Sequence, residues 1–341
     1  MCVFLQTGLR VRRPVAPMRT QPDGHPQISL WDNAIKHAAR SRNGNHVGAA
    51  ARGPDRGPAI RIRQIRIRLQ LGADHIPGAH VVVAYKGGSA DIPESASRVE
   101  QYAAELHTKY GVEIVPDIPA LLGKVDAVLL LSNDGRVHLA HARPVLAAHK
   151  PVFIDKPLAS TLEDAREIAR LAQASGTPWF SSSSLRFGAI GAAKPAGATG
   201  VSTWGPGPFE AHHYLDLSWY AIHPVELLYT LMGPGCVEVT RVAGENEDVI
   251  VGRWKDGRLG TVRAIRPYSD YGAVVTRGRE VTVLHPKAGE ATDYRPLVLE
   301  IVKFFAGGKP PVPNEETLEL IAFLDAAQKS KEQHGRTVAL R

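Results

Sequence analysis

The sequence predicts an α/β fold built from two domains of different class, and three observations support this. The chain has 341 residues, a length that usually holds two domains. Short apolar strands alternate with amphipathic helices over residues 72–185, a pattern typical of a parallel, doubly wound sheet. Beyond residue 186, candidate strands follow one another closely, with a hairpin signal at residues 255–257. We therefore expect a Rossmann-like domain over 72–185 and an α+β domain with an open, mostly antiparallel sheet over 186–341.

Residues 1–71 differ in composition from the rest of the chain. They contain twelve Arg and one Lys but only three acidic residues, so they supply all of the excess positive charge behind the net +7. Only residues 60–69 alternate apolar and basic side chains, which predicts one half-buried strand. An arginine-rich segment can bind nucleic acid through its charge. Because it lacks interleaved aromatic residues and a recognisable module, a solvated basic tail is the favoured interpretation.

The remaining composition indicates a protein of a reducing compartment. Two cysteines cannot form a disulfide framework. No run of eighteen apolar residues occurs, so no membrane span is expected. The first residues lack the apolar core of a secretory signal. We therefore expect a cytoplasmic protein without a membrane partner.

Hydrophobic periodicity and capping signals define the elements of the first predicted domain. Gly111 and Gly176 are each expected to end a helix, and Thr161 is expected to begin one. The predicted strands cover residues 79–85, 112–115, 126–132, 151–154 and 178–182, and the predicted helices cover 97–110, 118–122, 137–149 and 162–175.

The second predicted domain contains a helix that begins near His223, because Pro224 is tolerated in a first helical turn and Gly233 ends the apolar pattern. Four strands are then expected, followed by two helices and a last short strand. These elements cover residues 236–242, 248–254, 259–265, 272–276, 297–305, 315–333 and 337–340.

The stretch PVFIDKPLAST, residues 151–161, carries the first candidate site. The apolar strand ends abruptly on Asp155 and Lys156, and Pro157 has no N–H for a sheet ladder. In open α/β sheets, ligands bind at the carboxyl ends of the strands. Lys156 is therefore either a functional side chain at a ligand site or an ordinary solvated charge at the end of a strand.

Two further stretches carry candidate polar groups. His223 and Glu226 lie one helical turn apart, so the carboxylate could orient the imidazole as a general base. The alternative is a capping or core histidine. Ser132 and Asn133 follow an apolar strand and precede a helix, where polar groups can bind ribose or phosphate. The alternative there is an ordinary turn, because Asn133-Asp134-Gly135 is a strong turn signal.

Taken together, these stretches resemble the Gfo/Idh/MocA family of NAD(P)-dependent oxidoreductases over residues 72–341. Asp155-Lys156-Pro157 resembles the family's Glu-Lys-Pro motif, and Ser132-Asn133 with His138 resembles its cofactor loop after strand four. Leu185-Arg186-Phe187 resembles the entry to the second domain. Tyr220–Glu226 resembles the family's Gly-x-His-x-x-Asp, with Ala221 in place of glycine.

The resemblance implies hydride transfer between NAD or NADP and a secondary alcohol of a sugar, cyclitol or similar small molecule, in a homo-oligomer that needs no metal. It implies that His223 takes the hydroxyl proton, that Lys156 holds the oxygen and that Glu226 orients the imidazole. Arg186 and Tyr220 would contact the substrate. The implied cofactor-binding residues are Lys86, Ser132, Asn133, His138, Asp155, Lys156 and Pro157.

Two features of the sequence depart from the family pattern. Lys86 stands where an acidic residue usually reads the ribose, which permits NADP. No G-x-G-x-x-G turn for the pyrophosphate occurs anywhere in the chain. The alternative hypothesis is therefore a degenerate, non-redox relative that binds a sugar-like ligand or a partner.

Overall fold

A computed structural model describes residues 6–11, 76, 78–286 and 293–340. Its first sheet has six strands in the spatial order β3-β2-β1-β4-β5-β6. The strands are β1 (Gln6–Val11), β2 (Ala79–Tyr85), β3 (Glu113–Val115), β4 (Ala127–Leu130), β5 (Val152–Asp155) and β6 (Trp179–Ser182). The strand predicted at residues 60–69 lies outside the described residues.

The first sheet is only partly parallel. β3 pairs parallel with β2, and β4, β5 and β6 pair parallel with one another. β1 lies in the centre and pairs antiparallel with both β2 and β4. Gln6 is opposite Tyr85, the last residue of β2, so β1 begins rather than ends at the carboxyl edge of its neighbours. The predicted strands of this sheet are thus parallel wherever they pair with one another, whereas β1, which was not predicted, runs in the opposite direction.

The helices of this region cover the faces of the first sheet, and their ends follow the predicted caps. Gly111 and Gly176 adopt positive φ of 66° and 64°, as helix-ending glycines do. The Thr161 hydroxyl accepts the N–H of Asp164 at 3.1 Å. The helices are α1 (Pro93–Ala96), α2 (Val99–Tyr110), α3 (Ile118–Leu122), α4 (His138–Ala147) and α5 (Leu162–Ser175).

The second sheet has seven strands in the order β12-β11-β7-β10-β9-β8-β13. Neighbouring strands are antiparallel except β7 and β10, so the predicted mostly antiparallel sheet is confirmed. The strands are β7 (Gly200–Pro206), β8 (Cys236–Ala243), β9 (Glu247–Trp254), β10 (Leu259–Ile265), β11 (Gly272–Arg277), β12 (Glu280–Leu284) and β13 (Val338–Ala339).

Two strands of the second sheet were not predicted, for different reasons. β7 reads GVSTWGP, and its two glycines and terminal proline are poor strand signals. It is nevertheless an inner strand, held between β10 and β11. β12 is the opposite case, a short edge strand whose Val281 and Val283 are about two-thirds exposed.

Helix α7 (Ile222–Met232) packs on β7 and β10 of the second sheet. All eleven of its residues are buried, as expected for a helix that is apolar on every side. It follows α6 (Ala189–Ala192) and precedes α8 (Arg295–Phe305) and α9 (Asn314–Glu332). Because α7 is enclosed, the polar groups in its first turn are held in fixed positions.

Helix α8 returns to the first sheet, although it follows the second sheet in sequence. The ring centroids of Phe180 and Phe304 lie 5.0 Å apart, edge to face, and Phe153 packs 5.0 Å from Phe180. Helix α9 contacts both α5 and β8, and so ties the two sheets together. Within the described ranges, no helix is both long and apolar enough to cross a bilayer.

Candidate active site

The carboxyl end of β5 leads directly into the candidate site. Lys156 follows β5 and is only 6% exposed, and a cis peptide bond joins it to Pro157. Its ammonium donates a hydrogen bond to the backbone carbonyl of Trp219, at 3.2 Å. Lys156 is therefore not a solvated strand end, because a buried ammonium keeps its place only where other groups compensate for lost water.

His223 lies in the first turn of α7, where its predicted position is confirmed. Its Nδ1 atom is 2.7 Å from the hydroxyl oxygen of Ser183, the residue that follows β6. Burial lowers the pKa of His223 well below its usual value, and the positive charge of Lys156 lowers it further. The imidazole is consequently neutral near neutral pH, and close enough to Lys156 to sense its charge.

Glu226 lies one turn after His223 but is directed at Ser183 and Arg186. One carboxylate oxygen accepts the backbone N–H of Ser183 at 3.1 Å, and the other forms a buried ion pair with Arg186. Burial raises the pKa of Glu226, and the guanidinium of Arg186 opposes that rise. The imidazole is thus held by Ser183, and Glu226 acts on it only through Ser183. This differs from the expected direct contact, and the reason is that β6 ends between the two side chains.

Arg186 is buried at 8% exposure and also pairs with Glu316 of α9. Burial lowers its pKa, but the carboxylates of Glu226 and Glu316 outweigh this and raise the pKa overall. Its Nη2 atom is buried and has no hydrogen-bond partner among the residues that the structure describes. Arg186 therefore has one donor group left for a ligand, while the rest of the guanidinium is committed to the protein.

The loop after β4 is fixed against the loop after β5 by His138. Its Nε2 atom lies 2.8 Å from the carbonyl oxygen of Ser132, and its Nδ1 atom lies 2.9 Å from that of Pro157. Burial lowers the pKa of His138. Asn133, in the same loop, is 3% exposed, and no described residue bonds its buried side-chain oxygen. An unpaired buried amide oxygen is costly, so it marks a place for a ligand donor.

Asp134 anchors this loop to the segment that precedes α7. The carboxylate accepts hydrogen bonds from Ser89 and Arg136, and one of its oxygens lies 3.1 Å from Nε2 of His213. Burial opposes its charge, but the hydrogen bonds from His213, Arg136 and Ser89 hold its pKa far below the usual range. Asp134 is thus a buried carboxylate that connects the loops after β2 and β4 to the segment that precedes α7.

Lys86 lies apart from Lys156, at the end of β2. Its ammonium is paired with the exposed carboxylate of Glu100, at 2.8 and 3.0 Å from the two oxygens. Strands β2 and β5 are three strand positions apart in the sheet, or roughly 14 Å at about 4.8 Å per strand. The two lysines therefore lie at well separated points of the carboxyl edge.

Two tyrosine rings pack against the imidazole of His223. The ring of Tyr271 lies 5.7 Å from the imidazole, and that of Tyr220 lies 6.5 Å from it, both edge to face. The half-exposed Tyr268 packs 6.3 Å from Tyr220. Tyr220 was predicted from the sequence, whereas the other two tyrosines lie in the connection between β10 and β11, where no sequence pattern marked them.

Ser183 and Trp219 are the other residues of this site that sequence reasoning missed. A serine within the run Ser181-Ser182-Ser183-Ser184 gives no indication of which hydroxyl will face an imidazole. Trp219 contributes its backbone carbonyl, a group that every residue has, so no side-chain pattern could have singled it out.

Comparison with known proteins indicates the family and the fold. Residues 74–181 match the family model described as oxidoreductase family, NAD-binding Rossmann fold, known as GFO_IDH_MocA. The chain is thus similar, over residues 74–181, to the NAD-binding domain of the Gfo/Idh/MocA oxidoreductases. The family predicted from the sequence is thereby confirmed, and the match contains β2 through most of β6.

The relatives of this family that resemble the chain include inositol dehydrogenases. An inositol 2-dehydrogenase of Paracoccus denitrificans is 32% identical over 108 residues. That match covers 31% of each chain, so it spans about a third of the relative's length. The structure of myo-inositol 2-dehydrogenase from Lactobacillus plantarum matches with a TM-score of 0.64 at 16% identity, over 78% of this chain and 93% of that one.

Two further solved structures share the fold at low sequence identity. Myo-inositol dehydrogenase from Lactobacillus casei, solved with NAD(H) and myo-inositol, has a TM-score of 0.61 at 18% identity, over 77% of this chain and 89% of that one. A probable dehydrogenase from Thermotoga maritima has a TM-score of 0.60 at 21% identity, over 71% of this chain and 89% of that one. These likenesses confirm the predicted fold class, an α/β sheet joined to a mostly antiparallel one.

Proposed function

We propose that this chain is an NAD(P)-dependent dehydrogenase that transfers a hydride between the cofactor and a secondary alcohol of a sugar, cyclitol or related small molecule. One observation carries the proposal. A buried lysine and a buried histidine, from different elements, come together at the carboxyl edge of the first sheet: Lys156 bonds the carbonyl of Trp219, and the ring of the next residue, Tyr220, lies 6.5 Å from that of His223. That edge is where open α/β sheets bind their ligands.

Each group in this pair has a role that fits alcohol–carbonyl chemistry. Lys156, with Trp219 as the acceptor for one of its donors, has donors left for the substrate oxygen and would stabilise negative charge on it. His223 is held at Nδ1, and its Nε2 has no hydrogen-bond partner among the described residues, which leaves it for the same oxygen. The two side chains together hold the oxygen and handle its proton. Buried surroundings strengthen both interactions, because water does not screen them.

The described residues fit the nicotinamide end of a dinucleotide better than its pyrophosphate end. The unpaired oxygen of Asn133 is an acceptor at the correct edge, beside Ser132, Asp155, Pro157 and the supporting His138. β1 runs away from this edge, so it does not end there as the phosphate-binding strand of a Rossmann fold does. A bound nicotinamide would supply the carbon that gives or takes the hydride. Lys86, when released from Glu100, would favour a 2′-phosphate and hence NADP.

The proposed substrate class rests on the site and on the relatives. Tyr220 and the rings near it offer flat apolar surfaces beside polar groups, which suits the C–H face of a polyol. Arg186 has one donor group left for a substrate oxygen. The inositol dehydrogenases that resemble the chain are named for a substrate of this class.

We further propose that residues 72–185 and 186–341 are separate domains and that the protein works as a homo-oligomer in the cytoplasm. The two sheets support the division, although α8 of the second part packs on the first sheet. The exposed Leu259, Val281 and Val283 on the second sheet support self-association. Residues 1–71 remain, in this proposal, a basic segment without a nucleic-acid partner.

Titration of the purified full-length chain with NADH and with NADPH, followed by nicotinamide fluorescence, tests the proposal. Saturable binding, followed by turnover of a cyclitol or sugar, is the expected result. The control is Lys156→Met, which should bind nucleotide but lose turnover by at least about a hundredfold. A folded chain that binds neither nucleotide would overturn the proposal and leave the non-redox alternative.

A further inference from the structure

Ser183 connects the carboxylate of Glu226 to the imidazole of His223. Its backbone N–H donates to Glu226 at 3.1 Å, and its hydroxyl oxygen accepts the backbone N–H of Leu185 at 3.2 Å. The same hydroxyl oxygen lies 2.7 Å from Nδ1 of His223. The residue is 1% exposed, so water is not a ready alternative partner for the hydroxyl.

The surroundings of the hydroxyl determine the direction of the hydrogen bond between Ser183 and His223. A hydroxyl has one proton and two lone pairs, and the N–H of Leu185 occupies one lone pair. Among the hydrogen bonds of the described residues, Nδ1 of His223 is the acceptor available to the proton. The separation of 2.7 Å also fits an O–H donor, typically about 2.7–2.8 Å, better than an N–H donor at about 2.9–3.0 Å. Ser183 therefore donates and Nδ1 accepts.

The protonation state of the imidazole completes the assignment. Burial and the charge of Lys156 keep His223 neutral, so the ring carries one proton. Because Nδ1 accepts, that proton is on Nε2. An Nε2–H group is a hydrogen-bond donor and cannot accept the proton of an alcohol. The expectation that His223 is the base is therefore difficult to reconcile with its surroundings.

We propose that Ser183 is a positioning residue that holds His223 as the Nε2–H tautomer, so that His223 donates a hydrogen bond to the substrate oxygen while Lys156 moves the proton. This inference rests on the proposed function. In the reducing direction, the substrate carbonyl carbon gains a hydride from the reduced nicotinamide. The oxygen gains a proton from Lys156, the C=O π bond is lost, and the amine regains a proton from water. Oxidation is the reverse, with Lys156 as the neutral amine that accepts the proton of the alcohol.

The tautomer can be measured without nucleotide or substrate. The full chain with ¹⁵N-labelled histidine is studied by two-bond ¹H–¹⁵N correlation at neutral pH, and His223→Gln identifies the signals. We expect an unprotonated Nδ1 and a protonated Nε2. Ser183→Ala should shift the ring toward the other tautomer, and Ser183→Thr, which keeps the hydroxyl, should restore it. Ser182→Ala is the matched control, because it removes a buried hydroxyl that bonds the Ser183 carbonyl at 3.0 Å but not the imidazole.

Kinetics supply the second measurement. Ser183→Ala should lower kcat about tenfold with KM nearly unchanged, while Ser182→Ala stays within about twofold. A proton on Nδ1 of His223 in the unmutated chain, or an unchanged tautomer of His223 in Ser183→Ala, would overturn the inference. Failure to bind NADH or NADPH would instead count against the proposed function, because the tautomer is measured without either nucleotide.

Discussion

The buried carboxylate of Glu226 gives the sharpest prediction about stability. It is 3% exposed, pairs with the buried Arg186 and accepts the backbone N–H of Ser183. Glu226→Gln keeps the shape and one acceptor oxygen but removes the charge. Glu226→Ala removes both. Comparing the free energies of unfolding of the two variants separates the contribution of the ion pair from that of the hydrogen bond.

The expected magnitudes follow from which groups are left without partners. Removing one member of a buried ion pair costs about 3–5 kcal/mol, because the other charge stays buried. Glu316 also pairs with Arg186, so we expect Glu226→Gln to lower the free energy of unfolding by about 3 kcal/mol, near the lower end of that range. Glu226→Ala additionally leaves the Ser183 N–H unpaired, which costs about 1–3 kcal/mol more.

Urea unfolding at neutral pH, followed by circular dichroism, measures both free energies. The matched control is Glu238→Ala, because Glu238 forms an ion pair with Arg253 at 2.7 Å on the surface, where such pairs contribute little. We expect no measurable change for the control. If Glu226→Gln unfolds at the same urea concentration as the unmutated chain, the buried pair does not stabilise the site and the reasoning fails.

Three further predictions concern the loops at the carboxyl edge. Hydrogen bonds depress the pKa of Asp134 in the folded protein. Its charge therefore contributes to stability at pH values above the pKa of an unfolded aspartate, about 3.9, and this contribution is lost progressively as the pH falls below that value. Asp134→Asn should therefore flatten the acid side of a stability–pH curve, and an unchanged slope would contradict this. A Cβ at Gly135 would lie 2.8 Å from a backbone nitrogen of the loop after β5, whereas nothing lies within 4 Å at Gly123. Gly135→Ala should thus weaken nucleotide binding by at least about tenfold, and Gly123→Ala should not; equal affinities would refute the packing argument. Glu100→Gln releases Lys86 and should raise NADPH affinity a few-fold at low salt while leaving NADH unchanged; an equal gain for both would remove Lys86 from cofactor selection.

Local patterns in the sequence determined most of the elements. The apolar run at 79–85, the cap at Thr161 and the glycines at 111 and 176 each predicted an element that the structure contains. These signals depend on the residues within one helix or strand, so they can be read without knowing the fold. The candidate positions of Lys156 and His223 followed in the same way, from a strand end and a helix start.

Tertiary structure alone decided the direction of β1, the partner of His223 and the partner of Glu226. A strand's own pattern sets which face is buried but not which way the chain runs between its neighbours. Ser183 meets the imidazole across 40 residues of sequence, and its choice over the other serines of its run depends on where β6 ends against α7. Contacts between distant segments are fixed by packing, and packing is a property of the whole chain rather than of any stretch of it.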